Sequence, residues 1–167
     1  MSRDAALAEL EAGRASFADA YHGVPGEALS FLKPGDDYAL GGLVTHAVAV
    51  LEHYRLVLSA LLEAGFGEVR PQDPPGFWER AGAASREGLR PDEAAGAFAD
   101  LDRHHEEFVA TALSLPEEVW EQKGPVYYGT SKEALPTSPA DISGWLLDHY
   151  REHVPQVEKL YEEWRSG

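Results

Sequence analysis

Apolar residues recur every three or four positions in four separate stretches of this chain, and glycine or proline closes each stretch. That spacing draws an apolar stripe along a helix and fits no strand. The first stretch, about Asp4 to Tyr21, places Leu7, Leu10, Arg14, Phe17 and Tyr21 on one stripe, and His22-Gly23-Val24-Pro25-Gly26 breaks it. The second, about Tyr38 to Ala64, has Leu43, His46, Val50, His53 and Val57 on its stripe. Val44, Ala47, Val48, Leu51, Leu58 and Leu61 widen that face nearly all round, so this helix is expected to be the most buried. Gly65-Phe66-Gly67 reads as its C-terminal cap.

The third stretch opens on Pro91-Asp92-Glu93, with proline in a first turn and acids at the positive helix end, and runs to about Ser114. The fourth takes Ser138 as N-cap, Pro139 as first residue and Asp141 in the first turn, and runs to about Trp164. Pro155 falls inside it and predicts a kink or local break. Two long connectors remain. Residues 66–90 leave room for a short helix around Phe77–Ala84, and residues 116–138 carry Trp120, Tyr127 and Tyr128 as aromatic anchors. With no alternating strand pattern, the expectation is an all-α four-helix bundle without a sheet, one domain over residues 1–167.

Lys and Arg number 14 against 29 Asp and Glu, a formal charge of −15. Such a surface repels phosphate, which argues against nucleic acid and anionic membranes as partners. The chain has no cysteine, so disulfides, thiolate metal sites and a Cys nucleophile are all excluded. It shows no signal pattern and no apolar run near the ~20 residues that cross a bilayer. A soluble, cytoplasmic protein is expected.

The seven histidines carry the functional information. His149 and His153 are four apart and share the apolar stripe of the fourth helix, and His46 lies on that of the second. A buried imidazole has two ring nitrogens to satisfy, and one metal ion satisfies three converging rings together. Three neutral His ligands without Cys suit Zn²⁺, Ni²⁺ or Fe²⁺ and leave a coordination position open, as catalytic sites do. His53, about 10 Å along the helix from His46, is expected to be structural. His104 points off its stripe and is expected to be solvated. His105, with Asp102 three residues earlier, could be a fourth ligand, a group behind the ligands, or an acid/base. Arg14 could pair an anionic substrate group or carry its charge to the surface. Phe77, Trp78, Tyr127 and Tyr128 could form the mouth of a site or simply pack. His149-Tyr150-Arg151-Glu152-His153 has the His spacing of a metalloprotease, but Tyr150 stands where the catalytic Glu would be. A di-iron bundle needs two Glu-x-x-His motifs, and here there is only Asp102-x-x-His105.

Two segments carry a family resemblance. Tyr38-Ala-Leu-Gly-Gly-Leu-Val-Thr-His46 is similar to the entry of the second helix in the DinB-like (DinB/YfiT) superfamily of metal-dependent bundle proteins. Leu146 to Val157, with His149-x-x-x-His153 and then Gln156, resembles its fourth-helix signature. The resemblance spans residues 4–164. It implies a four-helix bundle with His46, His149 and His153 as ligands of a divalent metal, and also a homodimer. It further implies a small-molecule substrate and a thiol-dependent S-transferase or isomerase using a low-molecular-weight thiol. A metal-dependent hydrolase and a non-catalytic metal-binding stress or binding protein are the alternatives. A fourth protein ligand such as His105 would favour the non-catalytic reading. A metal-free, partner-binding bundle would instead keep His149 and His153 away from His46. The direction of the two ligand-bearing helices is open. His46 and His149 each lie about eight residues into their expected helices, which suits parallel neighbours, whereas the family's up-down-down-up order makes them antiparallel.

Overall fold

The computed structural model describes residues 1–167. Five α-helices carry the chain: α1 (Arg3–Asp19), α2 (Gly42–Glu63), α3 (Phe77–Glu87), α4 (Ala94–Ser114) and α5 (Pro139–Ser166). A two-stranded antiparallel hairpin, β1 (Gly124–Val126) and β2 (Leu135–Thr137), lies in the last connector and pairs Gly124 with Thr137 and Val126 with Leu135. The protein is therefore mostly helical, and the expectation of no sheet is corrected. Three-residue strands are too short to register as alternation in the sequence. Val126 also bridges to Val69, which stitches the two long connectors together.

The helix ends follow local chemistry. Ser2 caps α1 by accepting from the Ala5 N–H. Ser138 and Asp141 cap α5 reciprocally. The Ser138 Oγ accepts from the Asp141 N–H at 3.1 Å, and the Asp141 carboxylate accepts from the Ser138 N–H at 2.9 Å. After α2 the Phe66 N–H reaches the Leu61 carbonyl and the Gly65 N–H reaches that of Leu62, with Gly65 at φ +55. This is the double bond of a glycine-terminated helix. The second helix begins at Gly42, four residues later than its stripe implied. Tyr38 to Gly41 instead turns across the C-terminal part of α3, where the Ala39 N–H bonds the Ser85 carbonyl. Helix α5 runs unbroken through Pro155, so no local break occurs. Proline there withholds a donor from the Arg151 carbonyl, and Arg151 is exposed, so water can take its place.

Each of the four long helices packs on others of the set: α1 on α5 and α4, α2 on α4 and α5. Side-chain contacts give their directions. His46 meets His149 and His153, while Tyr54, two turns further along α2, meets Trp145, so α2 and α5 are antiparallel. Arg3 bonds the Leu115 carbonyl while Tyr21 packs on Phe98, so α1 and α4 are antiparallel as well. Ala6 and Glu9 lie near Ala140–Leu147, whereas Gly23 accepts from the Tyr161 hydroxyl, so α1 and α5 run together. The order is up, down, down, up. The equal depth read for His46 and His149 came from the misplaced start of the second helix.

The core is continuous and apolar. Leu10, Phe17, Leu43, Leu51, Leu58, Leu61, Leu101, Phe108 and Ile142 are all fully buried in it. As expected, α2 contributes the largest share of buried residues. Burial of a side chain of this size contributes about 1.5–3 kcal/mol.

Candidate metal centre

His46, His149 and His153 come together at one place. Each presents a ring nitrogen, and the three atoms lie within 4.8 Å of one another. His46 sits in the first turns of α2, just after the Tyr38–Gly41 turn; His149 and His153 occupy successive turns of α5. Because the helices are antiparallel and in contact, one ring from α2 meets two from α5. The ring centroids are 4.8 Å apart for His46 and His149, 5.3 Å for His46 and His153, and 4.4 Å for His149 and His153. Tyr38 packs its ring on both His46 and His153, closing one side.

The protonation pattern suits ligands. The Gln156 Oε1 accepts from the His153 Nδ1–H at 2.8 Å, which leaves the His153 Nε2 lone pair free. That Nε2 lies 3.2 Å from the His149 Nε2. Burial, reinforced by the neighbouring imidazoles, lowers His46 to about 4 and His149 to about 3, so both rings are neutral at pH 7. Nitrogens bound to one tetrahedral zinc at ~2.05 Å stand roughly 3.3 Å apart. The His149–His153 pair is already at that separation, and all three nitrogens lie within 4.8 Å of one another. A donor set of three imidazole nitrogens fits a divalent ion of the zinc, nickel or iron type.

No carboxylate and no fourth histidine joins the three. His105 is buried elsewhere, between α1, α4 and α5. Its Nδ1 is 3.1 Å from the Tyr150 hydroxyl, and its Nε2 is 2.9 Å from Glu11 Oε2 but out of line for a hydrogen bond. Burial lowers its pKa, partly opposed by Glu11. Its place as a fourth ligand is thus corrected. His104 is buried rather than solvated, with Arg55 donating to Nδ1 at 2.8 Å and Glu52 3.1 Å from Nε2. The sequence hid this because Glu52 and Arg55 come from α2, not from the helix that carries His104. Arg14 is not a free substrate anchor, being ion-paired to Glu11 and, at 2.8 Å, to Asp102, two carboxylates that are themselves exposed.

A cavity of about 230 Å³ lies between His46 and α3, lined by His46, Tyr38, Trp78, Ser85 and Arg86, among others. Trp78 therefore lines a cavity beside His46. Phe77 and Tyr128 line a neighbouring cleft instead, and Tyr127 packs under the Arg70 guanidinium, 3.8 Å from its ring centre. Ser85 and Arg86 went unnoticed in the sequence because the short helix allowed there ended at about Ala84, whereas α3 runs on to Glu87.

No family model matches this chain, and no curated protein matches it. A crystal structure of a protein from Streptococcus pneumoniae superposes with a TM-score of 0.68 at 11% identity, covering 99% of this chain and 91% of that one. The likeness is one of fold. No helix is long and apolar enough to cross a membrane.

Proposed function

We propose that the chain is a DinB-like four-helix-bundle protein, formed by α1, α2, α4 and α5, that holds one divalent ion through His46, His149 and His153 and acts as a thiol-dependent S-transferase or isomerase. The convergence of three imidazoles from two helices, without a fourth protein ligand, carries this reading. A bound divalent ion favours the deprotonated form of a thiol or water at an open position. The protein's own residues do the rest. Gln156 fixes the His153 ring so that Nε2 faces its neighbours. Tyr38 covers His46 and His153 on one side and excludes water there. The cavity beside His46 admits a small molecule past Trp78. With no cysteine in the chain, a sulfur nucleophile has to arrive with a cosubstrate.

The test is cobalt-substituted protein, prepared without a polyhistidine tag and titrated with 2-mercaptoethanol. A new sulfur-to-cobalt charge-transfer band is expected, and it should vanish in His46→Ala. Bound cobalt with no spectral change at saturating thiol would refute the thiol reading and leave metal-assisted hydrolysis.

A further inference from the structure

One turn-pair beyond His46 on α2, His53 is set up as a hydrogen-bond acceptor and not merely packed. Its Nδ1 lies 3.0 and 2.9 Å from the two oxygens of Asp73. Asp73 also accepts from the Trp78 indole N–H at 3.0 Å, so the carboxylate that orients the imidazole is itself held. Both His53 and Asp73 are more than four-fifths covered. A carboxylate on Nδ1 fixes the tautomer with the proton there, which leaves the lone pair on Nε2. Nε2 has no protein partner and is not sealed from solvent.

This imidazole borders a cleft of about 630 Å³ walled by Phe77, Trp78, Tyr128 and Pro75. Trp78 is 43% exposed, whereas Trp120 is buried at 2%. A partly exposed indole beside a lone-pair acceptor is a surface for a flat ring. The charge in the cleft selects further. Asp73 and Glu79 border it, and neither Lys nor Arg does, so an anionic ring is repelled. Trp78 also lines the cavity that holds His46, so the two spaces adjoin. His46 and His53 are about 10 Å apart along the helix axis.

We infer that His53, Asp73 and Trp78 form a binding subsite for a neutral aromatic ring that donates a hydrogen bond, such as a phenol, next to the proposed metal centre. Its place beside a reacting group rests on the metal reading. The binding itself does not.

The experiment uses the full chain labelled with ¹⁵N-histidine, both as purified and after chelation. 4-Methylphenol is titrated while the His53 ring nitrogens are followed by NMR. A saturable shift of Nε2 toward the value of a hydrogen-bonded acceptor is expected in both preparations. 4-Methylanisole, which cannot donate, should bind about fivefold more weakly, the net worth of one hydrogen bond. Asp73→Asn supplies the second arm. It replaces the carboxylate that holds the proton on Nδ1 by a neutral amide whose NH₂ and oxygen both lie within reach of Nδ1, so Nε2 is no longer held as the acceptor. The preference for 4-methylphenol over its ether should then shrink. No saturable shift at His53, equal affinity for the phenol and its ether, or an unchanged preference in Asp73→Asn would each overturn the subsite. Because the chelated protein is read as well, loss of metal alone cannot produce any of these failures.

Discussion

The Nδ1 of His153 lies 2.8 Å from the Oε1 of Gln156, one turn further along the same helix. The hydrogen bond decides which ring nitrogen of His153 is free, and it ties the orientation of that ring to a residue outside the three-histidine cluster. Outer partners of this kind typically contribute 10–100-fold in metal affinity. Gln156→Ala should therefore keep the fold but weaken zinc binding by roughly that factor. Competition with a chromophoric chelator measures it, and unchanged affinity would show that the bond is incidental.

His149→Ala and His153→Ala should each abolish stoichiometric metal, because either change leaves only two ring nitrogens in the cluster. Elemental analysis of tag-free protein is the check. Full metal content in either variant would mean that the site lies elsewhere.

Stability should fall as the solution is acidified below neutrality. Burial lowers the pKa of His104 and His105, and of His46 and His149 to about 4 and about 3. Between those values and the ordinary 6.5, the unfolded chain binds protons that the folded chain refuses. Stability therefore rises with pH across this window and is lost as pH drops from about 6.5 toward 4. Urea midpoints of chelated protein at pH 7.5 and 5.5 test the sign, and a higher midpoint at 5.5 would contradict it.

The α5 cap adds a second acid-sensitive element. Hydrogen bonds from Ser138 and the nearby Lys123 hold Asp141 below the usual carboxylate range despite its partial burial. Its stabilisation is present above the unfolded pKa near 4 and is lost as pH falls through the lower folded value. Asp141→Ala should cost about 1 kcal/mol at pH 7, read as a lower thermal midpoint, and much less at pH 2.

Gly42 has no room for a side chain. A Cβ there would stand 1.8 Å from the Ser85 carbonyl oxygen, in the backbone of α3. Gly42→Ala should push α3 off α2 at a cost of about 1–3 kcal/mol, or roughly 3–10 °C in Tm. An unaltered melt would mean that the contact is loose.

Much of this was legible in the residues and some was not, for definite reasons. The stripes of α1, α2, α4 and α5 located the long helices, and the spacing of His149 and His153 with His46 on another stripe named the cluster. Helix ends were read well where side chains make the cap, as at Ser138, and badly at the start of α2. There Tyr38, Ala39 and Leu40 are apolar and continue the periodicity, but their backbone serves α3 and the preceding loop. His104 was misread because Glu52 and Arg55 lie on α2, and the role of Arg14 stayed open because Asp102 lies on α4; periodicity on one helix says nothing about charges on the next. The hairpin escaped because Pro125 and Pro136 sit in strands of three residues.

The parallel course of α2 and α4 has a topological consequence. A chain that leaves α2 at Glu63 has to return the whole length of a 22-residue helix, about 33 Å, before α4 can set off in the same direction. Helix α3, with 11 residues, makes the second half of that homeward journey solid. It sets out near His53, where Trp78 stands, and arrives at Gly42, where Ser85 touches down. The wall of the entrance beside His46 is thus built from chain that the topology obliges the protein to carry. Trimming the loop would not simply shorten it; it would demolish the doorway or force a different winding of the helices.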